Sequence, residues 1–248
     1  MRAIRRLAHS TALLTVAAVV VLSAASAVLD FPVASPAQEH SQWCWAGSGQ
    51  AILAYYGQAV SQCTIANYAT GYPDTAGRPD CCTPSGYSAD NNVISGCNYW
   101  NYLWGSSVWG VSNGSLQGIL AHWGIASQVL GRSLTVGETL ADIGGRRPAV
   151  MRFQWTNGSG HFLDIYGLEE DGTYLDYWDP LPGNGATRSL YTWVVNAPGH
   201  HSWTHTLRLT TGPPIDPPTF PDDPLAALAT PVRTVHITEL RQNIDARL

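Results

Sequence analysis

Charge is scarce in this chain. Asp, Glu, Lys and Arg together make up 12% of its 248 residues, about half the share of an ordinary globular protein. The 13 basic residues are outnumbered by 18 acidic ones, so neither nucleic acid nor an anionic membrane surface is an expected partner. Long hydrophobic runs are missing too. The longest mainly apolar stretch, Ala12 to Leu22, has 11 residues with Thr15 among them, against the roughly 20 that a membrane-spanning helix needs. Stable association with a membrane is therefore not expected.

That short run sits between Arg2, Arg5 and Arg6 on one side and Ala25-Ser26-Ala27 on the other. A basic start, an apolar middle and a small-residue end read as a secretory signal, with cleavage expected after Ala27. The remaining chain carries 10 basic and 18 acidic residues, a formal charge of −8. A secreted, extracellular protein follows. Five cysteines, at 44, 63, 81, 82 and 97, fit an oxidising compartment. Four can pair and one is left. A bond between adjacent Cys81 and Cys82 would close a strained ring, so each is expected to pair with one of Cys63 and Cys97, in either combination. Their spacing suits a zinc site poorly; no metal and no cofactor is expected.

Large side chains recur at helical spacing from Trp45 to Gly57, with small Ser48 and Gly49 on the same face. Residues 58 to 114 read as short helices and long loops. Helices follow at Ser115–Trp123 and Leu134–Ile143. Strand patterns then take over at Pro148–Trp155, His161–Leu168 and Thr173–Trp178, divided by glycine-bearing turns, with further candidates at Arg188–Val195 and Ser202–Thr210. Helices first and strands later imply an α+β domain, placed at 28–210. Prolines at 213, 214, 217, 218, 221 and 224 mark a stiff linker over 211–231. Ile237, Leu240, Ile244 and Leu248 give the last segment, 232–248, one apolar helical face.

Cys44 is the leftover thiol, set between Trp43 and Trp45 at the expected start of a helix. N–H groups there stabilise a thiolate, and the amide of Gln38, six residues upstream, can stabilise an oxyanion. A thiol nucleophile needs a base titrating near neutrality. His40 is a local neighbour of the thiol, His122 falls on a solvated helix face, His200 and His201 sit in a Pro-Gly-His-His turn, and His205 and His236 have no distinguishing surroundings. His161 follows a glycine-rich turn and opens an apolar strand, which would hold its ring at a sheet edge. Asp179 ends the next strand, where an antiparallel pairing returns it beside His161. Asp164 would point to the opposite sheet face, and Asp176 lies further from the ring.

Taken together, Gln38 with Cys44-Trp45-Ala46, Arg147-Pro148-Ala149-Val150 leading to Gly160-His161-Phe162, and Asp179-Pro180 resemble the papain-like cysteine proteases. The likeness is to the bacterial branch that includes avirulence-effector proteases and bacteriocin-leader-processing peptidases, and it spans roughly residues 36 to 182. It implies a papain-like fold, with an N-terminal helical lobe bearing Cys44 and a C-terminal antiparallel sheet lobe bearing His161 and Asp179, and Gln38 in the oxyanion hole. A secreted cysteine endopeptidase acting on protein or peptide substrates as a monomer is the expectation. An amidase or transpeptidase of cell-wall peptides, or a silent binding protein on the same scaffold, are the alternatives. The chain departs from plant papains in its shorter Cys-to-His interval, in Asp in place of Asn, in the vicinal cysteines and in the lack of an evident inhibitory prosegment. The aromatic residues around 99 to 109 suit either a cleft or a core.

Overall fold

The computed structural model describes residues 26–71, 80–83 and 97–214. The first 25 residues of the expected signal, most of the linker and the expected C-terminal helix at 232–248 lie outside the described residues. The architecture is α+β. Helices α1 (Cys44–Tyr55), α2 (Gln62–Thr70) and α3 (Leu116–His122) come first. The strands follow as β2 (Ser127–Leu130), β3 (Ala149–Trp155), β4 (Gly160–Glu169), β5 (Tyr174–Asp179), β6 (Gly185–Leu190), β7 (Asn196–Ala197) and β8 (His201–Leu209), interrupted by α4 (Val136–Gly144) and α5 (Tyr191–Val195). A short β1 (Ser26–Val28) precedes them all.

The strands pair antiparallel throughout, in the order β2-β8-β3-β4-β5-β6. β1 lies beside Gly167–Glu169 and so takes up the β4 edge where β3 ends at Ile165. It carries Ser26 and Ala27 of the expected cleavage motif, and Leu29 and Phe31 just beyond it are buried. Side chains alternate across the sheet as a period of two demands. Val150, Phe162, Tyr166, Trp178 and Leu207 face the core shared with the helices. Met151, Phe153, Leu163, Ile165 and Tyr177 face a second core with Val194 of α5 and Leu134.

Most expected elements recur within a residue or two. α4 begins with a capping box, in which Thr135 and Glu138 bond each other's backbone N–H groups, the arrangement that satisfies two orphan donors at once. Arg188–Val195 is a correction. The strand stops at Leu190, and Tyr191–Val195 turns into a helical turn. There Val194 is buried while Trp193 stays exposed, an arrangement the β-branched composition alone did not announce. The short β2 and the two-residue β7 carry too little pattern to have been expected.

The cysteines pair as Cys63–Cys82 and Cys81–Cys97, leaving Cys44 free. The first bond fastens residues 80–83 to α2, and the second fastens them to the segment that begins at Cys97. No helix among the described residues is long and apolar enough to cross a membrane.

Helix α1 packs closely because its residues 46–49 present almost no bulk and are buried: Gly47 meets the end of the sheet at Pro180, while Gly49 faces Ile65 of α2 and Leu116 of α3. Gly47 sits at the tightest point. A Cβ there would stand 2.9 Å from the Pro180 Cβ, closer than carbon atoms tolerate. Gly47→Ala should therefore lose about 1–3 kcal/mol in urea unfolding, despite the ~1 kcal/mol that alanine adds to helix propensity. An unchanged or raised midpoint would show that the two halves are not held at this spacing.

Candidate active site

Cys44 is the first residue of α1, and no side chain caps that helix start. Its leading N–H groups are thus left for a nearby negative charge. The flanking indoles fix its position. Trp43 Nε1 donates to the Cys97 carbonyl at 2.6 Å and Trp45 Nε1 to the Tyr99 carbonyl at 2.9 Å, and neither ring has any exposed surface. Asn98, between those carbonyls, accepts from the Gln42 backbone N–H and donates to the Ser41 hydroxyl. Residues 97–99 thereby grip residues 41–45 from both sides of the thiol. The Cys81–Cys97 disulfide anchors the grip. Cys44 itself stays half-buried and reaches the cleft.

His161 opens β4, and Asp179 closes β5. Nε2 of the ring lies 2.7 Å from Asp179 Oδ1. The same carboxylate accepts from the Leu181 backbone N–H at 2.9 Å and from the Asn184 side-chain amide at 2.8 Å. Nε2 is thus committed to Asp179, and the Cys44 side chain lies near enough to the ring to favour its charged form. Trp155 lies nearly parallel to the imidazole, with ring centroids 6.1 Å apart, and His161 is only 4% exposed.

Electrostatics follow from this enclosure. Burial pushes the His161 pKa down, but hydrogen bonds and charge from Asp179 and Cys44 outweigh it and raise it to about 9. Burial likewise pushes Asp179 up, and His161, the Leu181 N–H and Asn184 more than compensate, so its carboxyl is held below the usual range. At neutral pH the pair is imidazolium and carboxylate.

The competing acids go elsewhere. Asp164 points to the other sheet face, completely buried against α1, where Ser48 is its nearest polar neighbour. Neither of its oxygens meets a donor in hydrogen-bond geometry, and burial raises its pKa well above the ordinary carboxylate value. Burial thus favours its protonated form beneath the site. Asp176 faces Arg188, 3.6 Å away. Among the histidines, His40 lies edge-on to Trp43, His122 stacks on Tyr68, and His201 stacks on Phe153. Among the described residues no group of three or more His, Cys, Asp or Glu could hold a metal ion.

Gln38 is buried beside this junction, its backbone N–H donating to the Pro180 carbonyl at 2.7 Å. Its side-chain Nε2 donates to the carbonyls of His40 and Ser41, both at 2.9 Å. Both amide hydrogens are therefore used within the turn that leads to Cys44.

A cleft of about 610 Å³ opens beside Cys44, between the 100–104 segment and the β3, β4 and β8 strands. The aromatic run divides by alternation. Tyr99, Asn101 and Leu103 are buried, whereas Trp100, Tyr102 and Trp104 are 45%, 45% and 46% exposed. It is both core and cleft wall. Sequence reasoning missed Trp155, Asn98, Asn184 and Arg152. Asn98 and Asn184 carry turn chemistry only, and Trp155 shows nothing in sequence that separates it from a core aromatic. No protein-family model matches this chain, and no curated protein matches it either.

Two titrations check this arrangement. Because His161 is raised above 6.5, the stability its imidazolium supplies is complete below that value and is lost as pH rises through about 9. Asp179→Asn should move the His161 ring titration, followed by NMR, to lower pH; an unmoved midpoint would mean that the carboxylate does not hold the proton. Asp164 carries the same sign for burial alone, so wild-type stability should fall with rising pH while Asp164→Asn escapes that fall. The variant should melt above wild type at pH 8, with the gap closing toward pH 4, and a variant that melts lower at pH 8 would mean that the carboxyl is ionised and partnered.

Proposed function

We propose that the protein is a secreted papain-like cysteine endopeptidase. The observation that carries this reading is the convergence of Cys44, His161 and Asp179: the imidazole is bonded to the carboxylate at 2.7 Å and has the thiol near enough to favour its charged form, with Cys44 at an uncapped helix start beside an open cleft. The two disulfides support an oxidising compartment.

His161 takes the proton of Cys44 and holds it, because Asp179 stabilises the imidazolium. The thiolate attacks a peptide carbonyl carbon lying in the cleft. Negative charge then develops on the carbonyl oxygen, and the Cys44 backbone N–H receives it at the helix start. Gln38 joins when one Nε2–H turns from a backbone carbonyl to that oxygen. His161 protonates the departing amine, leaving a thioester on Cys44. It then deprotonates the water that hydrolyses this ester, and the thiol is regenerated. Asp179 does not change protonation state during the cycle; it fixes the ring in one orientation.

Cys44→Ala should reduce casein hydrolysis by several orders of magnitude with an unaltered circular dichroism spectrum. Gln38→Ala should lose about a hundred- to thousandfold, the scale of one oxyanion donor. Casein cleavage retained by Cys44→Ala would refute the assignment. Release of peptides from purified peptidoglycan, with casein untouched, would move it to the cell-wall amidases.

A further inference from the structure

The mature chain is acidic, yet among the described residues no aspartate or glutamate lines the cleft. One cation does. Arg152, on β3, lays its guanidinium over the backbone of Gly160, the residue before His161. A Cβ at Gly160 would stand 2.8 Å from Arg152 Nη2 and 2.9 Å from its Nε, so the missing side chain is what admits the group.

Arg132, Arg147, Arg188 and Arg208 each meet a carboxylate. Arg152 meets none among the described residues. Its Nη1 donates to Gln154 Oε1 at 3.2 Å and to Thr204 Oγ1 at 3.0 Å. These two bonds use the Nη1 hydrogens and fix the plane of the guanidinium. Nε and Nη2, the edge lying over Gly160, have no acceptor among the described residues. Three of the five donors of an arginine therefore remain, on a side chain that is already held in place. Such a fork matches the two oxygens of a carboxylate. Nearby His205 is kept below its ordinary pKa by burial and by the Arg152 charge. It is neutral at pH 7 and leaves the guanidinium as the charge of this wall. The exposed rings of Trp100, Tyr102 and Trp104 also line the cleft, with Trp104 5.0 Å from the His205 ring, and offer apolar surface to the flanking residues of a bound chain.

We propose that the Nε–Nη2 edge of Arg152 binds a carboxylate of the substrate, so that the preferred substrates are peptides carrying an acidic group close to the bond that is cut. This names the substrate class within the peptidase reading and rests on it for the cleavage, though not for the binding. An aspartate or glutamate side chain and a free C-terminal carboxylate share the required chemistry, and the experiment separates them.

The test uses a defined peptide pool in which each Asp or Glu peptide is matched by its Asn or Gln isostere, every member made with a free and an amidated C-terminus. Cleavage by the full chain is followed by mass spectrometry. Binding of the same pairs to the Cys44→Ala chain is followed by tryptophan fluorescence. Acidic peptides should exceed their isosteres by about tenfold or more in kcat/KM and in affinity, as expected for charge-assisted bonds. Arg152→Gln should bring that ratio close to one, and Arg152→Lys should keep the charge preference while losing part of its size. A preference seen only with free C-termini would assign the site to the chain end; one that survives amidation assigns it to the side chain.

A ratio near one in both measurements would overturn the proposal, as would a ratio that Arg152→Gln leaves intact. The latter would mean that the guanidinium serves only the Cys44 thiolate. Cleavage without acidic preference would sink this inference and leave the peptidase reading standing. Acidic peptides bound by Cys44→Ala, with no cleavage by the unaltered chain, would do the reverse, and neither binding nor cleavage would end both.

Discussion

Trp43 and Trp45 donate their indole N–H groups to the carbonyls of Cys97 and Tyr99, and the position of the thiol between them follows from those two bonds. Both donors are fully buried, where an unpaired indole N–H would cost about 1–3 kcal/mol. The register of residues 41–45 against 97–99 is therefore strongly specified. Cys44 is carried on a segment that cannot slide without orphaning a buried donor. The disulfide at Cys97 ties that segment to Cys81, so a redox-dependent bond far from the thiol in sequence sits one step from it in space.

The second constraint is the contact between α1 and the sheet. Gly47 lets the helix approach Pro180, and Pro180 accepts the backbone N–H of Gln38. Asp179, immediately before that proline, is thus placed by the same junction that places the start of the nucleophile segment. Small residues on α1 are what make thiol and imidazole meet, because a bulkier face would lift the helix off the strands. The cost of such close layering is a buried acid. Asp164 lies between the layers with neither oxygen in a well-formed hydrogen bond, and burial favours its neutral form, since an unpaired buried carboxylate is very expensive.

Enclosure also governs the chemistry. His161 and Asp179 are held together by a short bond in a place that water hardly reaches, and low local polarity strengthens their attraction. Trp155 covers the ring on one side, while the carboxylate spends its remaining capacity on Leu181 and Asn184. An imidazolium that persists to about pH 9 is the electrostatic partner a thiolate needs. Arg152 sits just outside this enclosure, close enough to feel the charge of Cys44 and open enough to meet a ligand.

The sequence by itself determined which residue types could do chemistry and in what order they occur. A leftover thiol at a helix start, a histidine opening an apolar strand after a glycine turn, and an aspartate before a proline are all local signals, because each rests on propensity, turn geometry or cysteine parity within a few residues. Helix and strand positions were legible for the same reason, with Arg188–Val195 as the exception, where β-branched residues close a strand and then turn into a helix under the pull of a buried Val194. Tertiary structure alone decided the pairing of the adjacent cysteines, the bonds that use up the Gln38 amide, the inward and outward alternation of the 99–104 aromatics and the solitary guanidinium over Gly160. Those depend on distances between segments tens of residues apart, and chain order carries no measure of such distances until the layers have packed.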